Sequence, residues 1–380
     1  MFVSNTGIST SHNNRLVWNR GETRTFRVLL RPEEPGRHLW RFGFSNTVDS
    51  TWDDGSESYA DLPGGRFEIV SSSAGTADAD RRIGALSAVE WPESTIMSGV
   101  CAVSKEIELD VPADGYVVFS WCLRALEDRC VLPMTPDSQA LCFSASGDVS
   151  LLDMSAFHED QDAVLPDLFA ADRPVRAVMA FMGDSITQGC GTRVNYYEQW
   201  ATRIAMGMEK DVAVWNIGLG FGRAADAVRN GAWLRKAKQA DVVNLCFGVN
   251  DILQTGDVDL LLANLERTVS LLRENGTRVV LFTIPPFEMV GESEASWRHA
   301  VGRIRTDGLG ADAVFDIAAM LSQSEPRDNF AAFGGHPDGR GGAAVAGDYL
   351  TAFWPLWRER LLPNGEPRSD GKAAPIRFPE

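Results

Sequence analysis

The sequence predicts an α/β protein with a doubly wound parallel sheet, preceded by an all-β sandwich. Three observations carry this. The chain has 380 residues, long for one core, so two domains are expected. Up to about residue 160, short runs rich in β-branched and aromatic residues recur between turn signals. From about residue 175, continuous apolar runs alternate with helical periodicity, as strands buried on both faces and joined by crossover helices should. The expected domains are 1–165 and 175–362, followed by a tail over 363–380, with a linker near Pro166 to Pro174.

In the first half the strand candidates are Thr25-Phe26-Arg27-Val28-Leu29-Leu30, Leu39-Trp40-Arg41-Phe42-Gly43-Phe44, Phe67-Glu68-Ile69-Val70 and Tyr116-Val117-Val118-Phe119-Ser120-Trp121. Arg31-Pro32-Glu33-Glu34-Pro35-Gly36, Asp53-Asp54-Gly55-Ser56 and Pro112-Ala113-Asp114-Gly115 separate them as turns. Trp18, Trp40, Trp52 and Trp91 are read as packing residues, since large aromatics serve chiefly as buried area. In the second half, strands are expected at 178–182, 212–215, 242–247, 279–284 and 314–317. Helices are expected at 196–209, 223–239, 257–274, 292–306 and 341–361. The run from Leu260 to Leu272 carries apolar residues three and four apart, the mark of a helix lying on a sheet. The tail after Pro363 is rich in Pro, Gly and charge.

The net charge of −16 argues against an electrostatic grip on nucleic acid or anionic lipid. No apolar run approaches the roughly 20 residues of a membrane helix. The start, Met1-Phe2-Val3-Ser4-Asn5-Thr6, lacks the basic and apolar regions of a signal peptide, so a cytoplasmic location is expected. The six cysteines, Cys101, Cys122, Cys130, Cys142, Cys190 and Cys246, form no Cys-x-x-Cys pair. They are read as reduced, mostly buried thiols, and no zinc site is expected.

The chemistry concentrates in four short blocks. Gly183-Asp184-Ser185-Ile186-Thr187-Gln188-Gly189 places a serine directly after a buried strand. Asn216-Ile217-Gly218-Leu219-Gly220, Gly248-Val249-Asn250-Asp251 and His336-Pro337 follow in order. In a doubly wound sheet all four fall in loops at the strand carboxyl ends, so four loops assemble one site. A serine nucleophile, a histidine base and donors for an oxyanion are what acyl transfer requires.

These blocks resemble the SGNH (GDSL) hydrolase superfamily over about residues 175–360. The resemblance implies a flavodoxin-like three-layer domain behind a jelly-roll-like sandwich, a layout similar to that of several carbohydrate esterases. It implies Ser185 as nucleophile, His336 as base, and an oxyanion hole made of the Ser185 N–H, a glycine N–H and Asn250. The family's second block reads Asn-x-Gly-x-x-Gly, but Phe221 stands at the last position. Gly220 is the preferred donor, with Gly222 close behind. Asp184 is read as structural, and His12, His38, His158 and His299 receive no role. Cys190, five residues past Ser185, is placed near the site without a reactive role.

One departure stands out. The family's aspartate three residues before the histidine is replaced by Phe333. A Ser-His dyad oriented by a backbone carbonyl, a displaced carboxylate (Asp338, Asp328 or Asp316), or a weakly active relative all remain open, and the dyad is favoured. The expected function is a serine esterase removing short acyl groups, acetyl foremost, from a small-molecule or oligosaccharide ester. A general short-chain esterase or thioesterase, or a catalytically weak carbohydrate-binding or assembly protein, are the alternatives. No cofactor or metal is expected, nor a nucleic-acid or membrane partner, and a homo-oligomer stays open.

Overall fold

A computed structural model describes residues 1–50, 60–136 and 138–363. Trp52, the separator Asp53-Asp54-Gly55-Ser56 and the tail after Pro363 lie outside them. The second half is built on a five-stranded parallel sheet. Its spatial order is Val212–Asn216, Ala177–Gly183, Val242–Cys246, Arg278–Phe282, Ala313–Phe315. In chain order that is 2-1-3-4-5, the flavodoxin-like arrangement, with its crevice where the order reverses at Ala177–Gly183.

Alternation along that strand sets the two faces. Val178, Ala180 and Met182 share a core with Leu261, Leu265 and Val269 of the helix Val258–Glu274 and with Trp297 and Ile304 of Glu292–Asp307. Ala177, Met179 and Phe181 pack with Trp200 and Ile204 of Trp200–Gly207, and with Val345, Tyr349 and Trp354 near the carboxyl end. The strands are sealed on both sides, which explains their unbroken apolar runs. The helix expected over 223–239 is instead two, Ala224–Ala227 and Ala232–Ala237. Asn230 adopts a left-handed φ of 60° between them, and the second helix starts on the Asp61 carboxylate, which accepts from the Ala232 N–H.

The first half contains a five-stranded and a seven-stranded antiparallel sheet. Phe42 and Phe44 from Gly36–Ser45 in the first meet Phe119 and Trp121 from Tyr116–Ala125 in the second. Ring centroids lie 4.3 Å apart for Phe42 and Phe119, and 5.2 Å for Phe44 and Trp121. Trp18 stacks near Phe26, Trp91 on Trp121, and Trp40 is buried, so these three tryptophans pack the core. The segment expected as a linker is not one: Leu168–Asp172 is a strand paired with both Gly36–Ser45 and Phe2–Ser4. Pro166 and Pro174 punctuate its ends, where proline costs no ladder hydrogen bond.

The two halves are tied by buried charge. Lys236 reaches from the helix Ala232–Ala237 to lie 2.5 Å from both Asp49 and Asp167, and all three are fully buried. Burial alone would lower the Lys236 pKa, but the two carboxylates outweigh it and carry it up to about 12, so the ammonium persists. Arg173 pairs with Glu33 at 2.9 Å and Glu34 at 3.1 Å. His12, Asp49 and Asp167 bring donor atoms within 4.8 Å of one another, as metal ligands do. However, the His12 ring nitrogens lie on the Ser45 and Leu165 carbonyls, and the carboxylates bracket Lys236 Nζ. The cluster already holds its own cation. Among the described residues no helix is long and apolar enough to cross a membrane.

Candidate active site

Ser185 begins the short helix Ser185–Gln188 directly after the strand Ala177–Gly183. Asp184 caps that helix, its Oδ1 accepting from the Ile186 N–H at 2.9 Å. Burial pushes the Asp184 carboxyl up to about 7, and its Oδ2 is buried without a partner among the described residues. Its role in the structure is to hold the turn, as read from sequence. Gly183 is required by space: a Cβ there would run into Thr187 Oγ1 and the Cys246 carbonyl. At the first helical position the Ser185 N–H has no carbonyl four residues back to bond. Among the described residues it makes no hydrogen bond.

The structure brings His336 to this serine, with Ser185 Oγ 2.8 Å from His336 Nε2. The imidazole meets Phe287 edge-on at 5.3 Å. Gly191 packs behind it, where a Cβ would lie 2.8 Å from His336 Cβ. This partial desolvation lowers the His336 pKa from the usual histidine range. A neutral imidazole near pH 7 is what a general base needs.

No carboxylate among those considered from sequence holds the ring. Asp338 caps the helix Gly339–Asp348, accepting from the Arg340 and Gly341 N–H groups, and its other oxygen takes the Arg340 guanidinium at 2.9 Å. That anchoring lowers its pKa. Asp328 is engaged bidentately by Arg298, and Asp316 by Arg305 and Thr283. Phe333 backs onto the same helix start, where a Cβ on Gly341 would be 2.9 Å from Phe333 Cβ.

The three glycines of the second block do different jobs. A Cβ at Gly218 would be 2.5 Å from the Gln188 nitrogen, so Gly218 lets the loop lie on the serine helix. A Cβ at Gly222 would be 2.7 Å from Trp233, and the Gly222 N–H closes a turn on the Leu219 carbonyl at 3.1 Å. Only the Gly220 N–H makes no hydrogen bond among these three and the described residues around them. Phe221 completes the turn at a left-handed φ of 58°. Asn250 lies in the helix Val249–Thr255, where its Nδ2 donates to the Gly222 carbonyl at 3.1 Å. An amide carries two donors, so one hydrogen stays available. Asp251 beside it accepts from the Ala224 and Ala225 N–H groups, and burial pushes its carboxyl up to about 6.

Sequence reasoning missed Asn216 as a brace. Its side chain donates to the Thr187 and Gly7 carbonyls and accepts from the Gly218 N–H, tying three segments together. It also missed the charged cleft of about 460 Å³ beside Gly191, lined by Arg193, Glu198, Arg203, Asp338 and Arg340. Among the described residues no disulfide joins the cysteines, and Cys190 is half-buried.

Residues 181–344 match the model of the GDSL-like Lipase/Acylhydrolase family, and the chain carries a domain of that family there. The match takes in Ser185, Gly220, Asn250 and His336. No curated protein sequence matches the chain. Among solved structures, the chain is similar to a member of the lipolytic protein G-D-S-L family from Veillonella parvula, at 20% identity and a TM-score of 0.37, covering 46% of this chain and 97% of that one. It is similar to a psychrotrophic esterase from Pseudoalteromonas sp., at 17% identity and a TM-score of 0.37, covering 48% and 98%. A family two carbohydrate esterase from Cellvibrio japonicus aligns over 95% of this chain and 97% of its own, at 15% identity and a TM-score of 0.36.

Proposed function

We propose that the chain is a serine ester hydrolase that removes short acyl groups, acetyl foremost, from a polyhydroxylated alcohol such as a carbohydrate. The observation that carries this reading is the 2.8 Å contact between Ser185 Oγ and His336 Nε2. Ser185 Oγ attacks the ester carbonyl while His336 Nε2 takes its proton. The oxyanion forms against the Ser185 N–H, the Gly220 N–H and the free hydrogen of Asn250 Nδ2. Collapse expels the alcohol, which takes its proton from His336. Water, deprotonated by the same ring, then releases the carboxylate and restores Ser185.

The pair acts as a dyad in this reading. Asp338, Asp328 and Asp316 are all committed to other partners, and the ring packs edge-on against Phe287, which supports a ring held by packing. A polar leaving group is part of the reading because Arg193, Glu198, Arg203 and Arg340 line the cleft beside Gly191, which packs on His336. The antiparallel half serves as an ancillary sandwich that braces the site. Phe287 against His336 favours a second reading, a general short-chain esterase with an apolar wall.

Wild type and Ser185→Ala are compared on p-nitrophenyl acetate and butyrate, then on acetylated sugars. Serine-dependent turnover that prefers acetyl and rises on acetylated sugars is expected. Equal use of butyrate with no gain on sugars moves the reading to the general esterase. No serine-dependent turnover on any ester overturns it.

A further inference from the structure

We propose that Ser9, at the amino-terminal end of the chain, is a positioning residue for the loop that presents the Gly220 N–H. This rests on the reading of Gly220 as an oxyanion donor. Residues 6–9 thread between the helix Trp200–Gly207 and the edge strand Val212–Asn216. Thr6 makes a parallel bridge to Trp215, and the Gly7 carbonyl accepts from Thr202 Oγ1 at 2.8 Å and Asn216 Nδ2 at 3.2 Å. The fit is tight, since a Cβ on Gly7 would be 2.9 Å from Thr202 Cα. Ser9, 1% exposed, then donates its Oγ–H to the Gly218 carbonyl at 2.6 Å.

The Gly218 residue is thereby held on both sides. Asn216 Oδ1 takes its N–H at 2.9 Å and Ser9 takes its carbonyl, while the following Leu219 N–H is fixed on the Gly183 carbonyl at 2.9 Å. These bonds set the planes of the peptides that lead into Gly220. Without the Ser9 hydroxyl the buried Gly218 carbonyl loses its donor, and the peptide plane turns to find another. A turn of that plane swings the Gly220 N–H off the point where oxyanion charge develops. A donor used only in the transition state then weakens, with little change in substrate binding.

The test uses the full chain with Ser9→Ala, Ser9→Thr and, for contrast, Thr10→Val. Thr10 makes a comparable buried bond from the same segment, but its Oγ1 donates to the Asp167 carbonyl, away from the loop. Expected is a loss in kcat of about tenfold for Ser9→Ala, with KM within about twofold and an unmoved acid limb of the pH profile. Amide hydrogen exchange across residues 217–222 should quicken in the same variant. Ser9→Thr, which keeps the hydroxyl, should recover kcat, and Thr10→Val should lower thermal stability without lowering kcat. Unchanged exchange over 217–222 in Ser9→Ala, or equal kcat in Ser9→Ala and Thr10→Val, overturns the proposal. The exchange readout needs no turnover, so it decides the role of Ser9 even if Ser185→Ala shows that the ester-hydrolase reading has failed.

Discussion

The serine side and the histidine side of the site are held by opposite means. Ser185, Gly220 and Asn250 sit in a lattice of hydrogen bonds: Asp184 caps the serine helix, Asn216 ties Gly218 to Thr187 and Gly7, and Asn250 grips the Gly222 carbonyl. His336 has packing instead, from Phe287 and Gly191, and the carboxylates of its loop are spent on capping and ion pairs. Groups that must meet developing charge at a fixed point gain from rigid donors that need no rearrangement during reaction. In the proposed reaction His336 is a base that shuttles a proton between serine and leaving group, a role that tolerates a softer mounting. Burial is what lowers the pKa of the ring.

The comparison breaks most sharply at its two centres. His336→Ala and Ser185→Ala should each cut kcat by about a thousandfold or more in an ester assay, with the double variant little worse than either. Next comes the rigid side: Asn250→Ala should cost about 10²–10³ in kcat, with KM nearly unchanged. An Asn250→Ala loss confined to KM would place Asn250 in substrate binding instead.

On the soft side the expected effects are smaller. The acid limb of kcat/KM should fall where His336 takes up a proton, and since burial lowers its pKa the inflection should lie below about 6.5. An inflection above that value would reveal a carboxylate facing the ring. Asp338→Asn should leave turnover nearly intact, because asparagine still caps the helix; Asp338→Ala should cost about 0.5–2 kcal/mol of stability by thermal or denaturant melts. A collapse in Asp338→Asn like that of His336→Ala would refute the dyad. Asp184→Asn sharpens the contrast by pH. The folded-state pKa of Asp184, about 7, is raised above the unfolded value, so its contribution to stability is present in acid and fades as pH rises toward 7. Relative to Asp184→Asn, wild type should therefore lose stability across that window.

The four chemical blocks were legible because each packs strand end, turn and functional side chain into a few consecutive residues. Ser185 Oγ lies 2.8 Å from His336 Nε2, and the parallel strands follow from apolar runs sealed on both faces. What was hidden depended on partners remote in the chain. Choosing Gly220 over Gly222 requires knowing that the Gly222 N–H closes on Leu219 and that its Cα faces Trp233. Leu168–Asp172 looked like a connection because its prolines are visible and its partner strands are not. Ser9 carries no local signal at all, for its bond to Gly218 spans 209 positions.

In the proposed reaction His336 activates Ser185 without an acidic third member. The most direct test is to treat the protein with a fluorophosphonate ester and map the adduct by peptide mass spectrometry, in wild type, His336→Ala and Asp338→Asn. A stoichiometric adduct on Ser185 is expected in wild type and Asp338→Asn, and almost none in His336→Ala. An unlabelled Ser185 in folded wild type would contradict it.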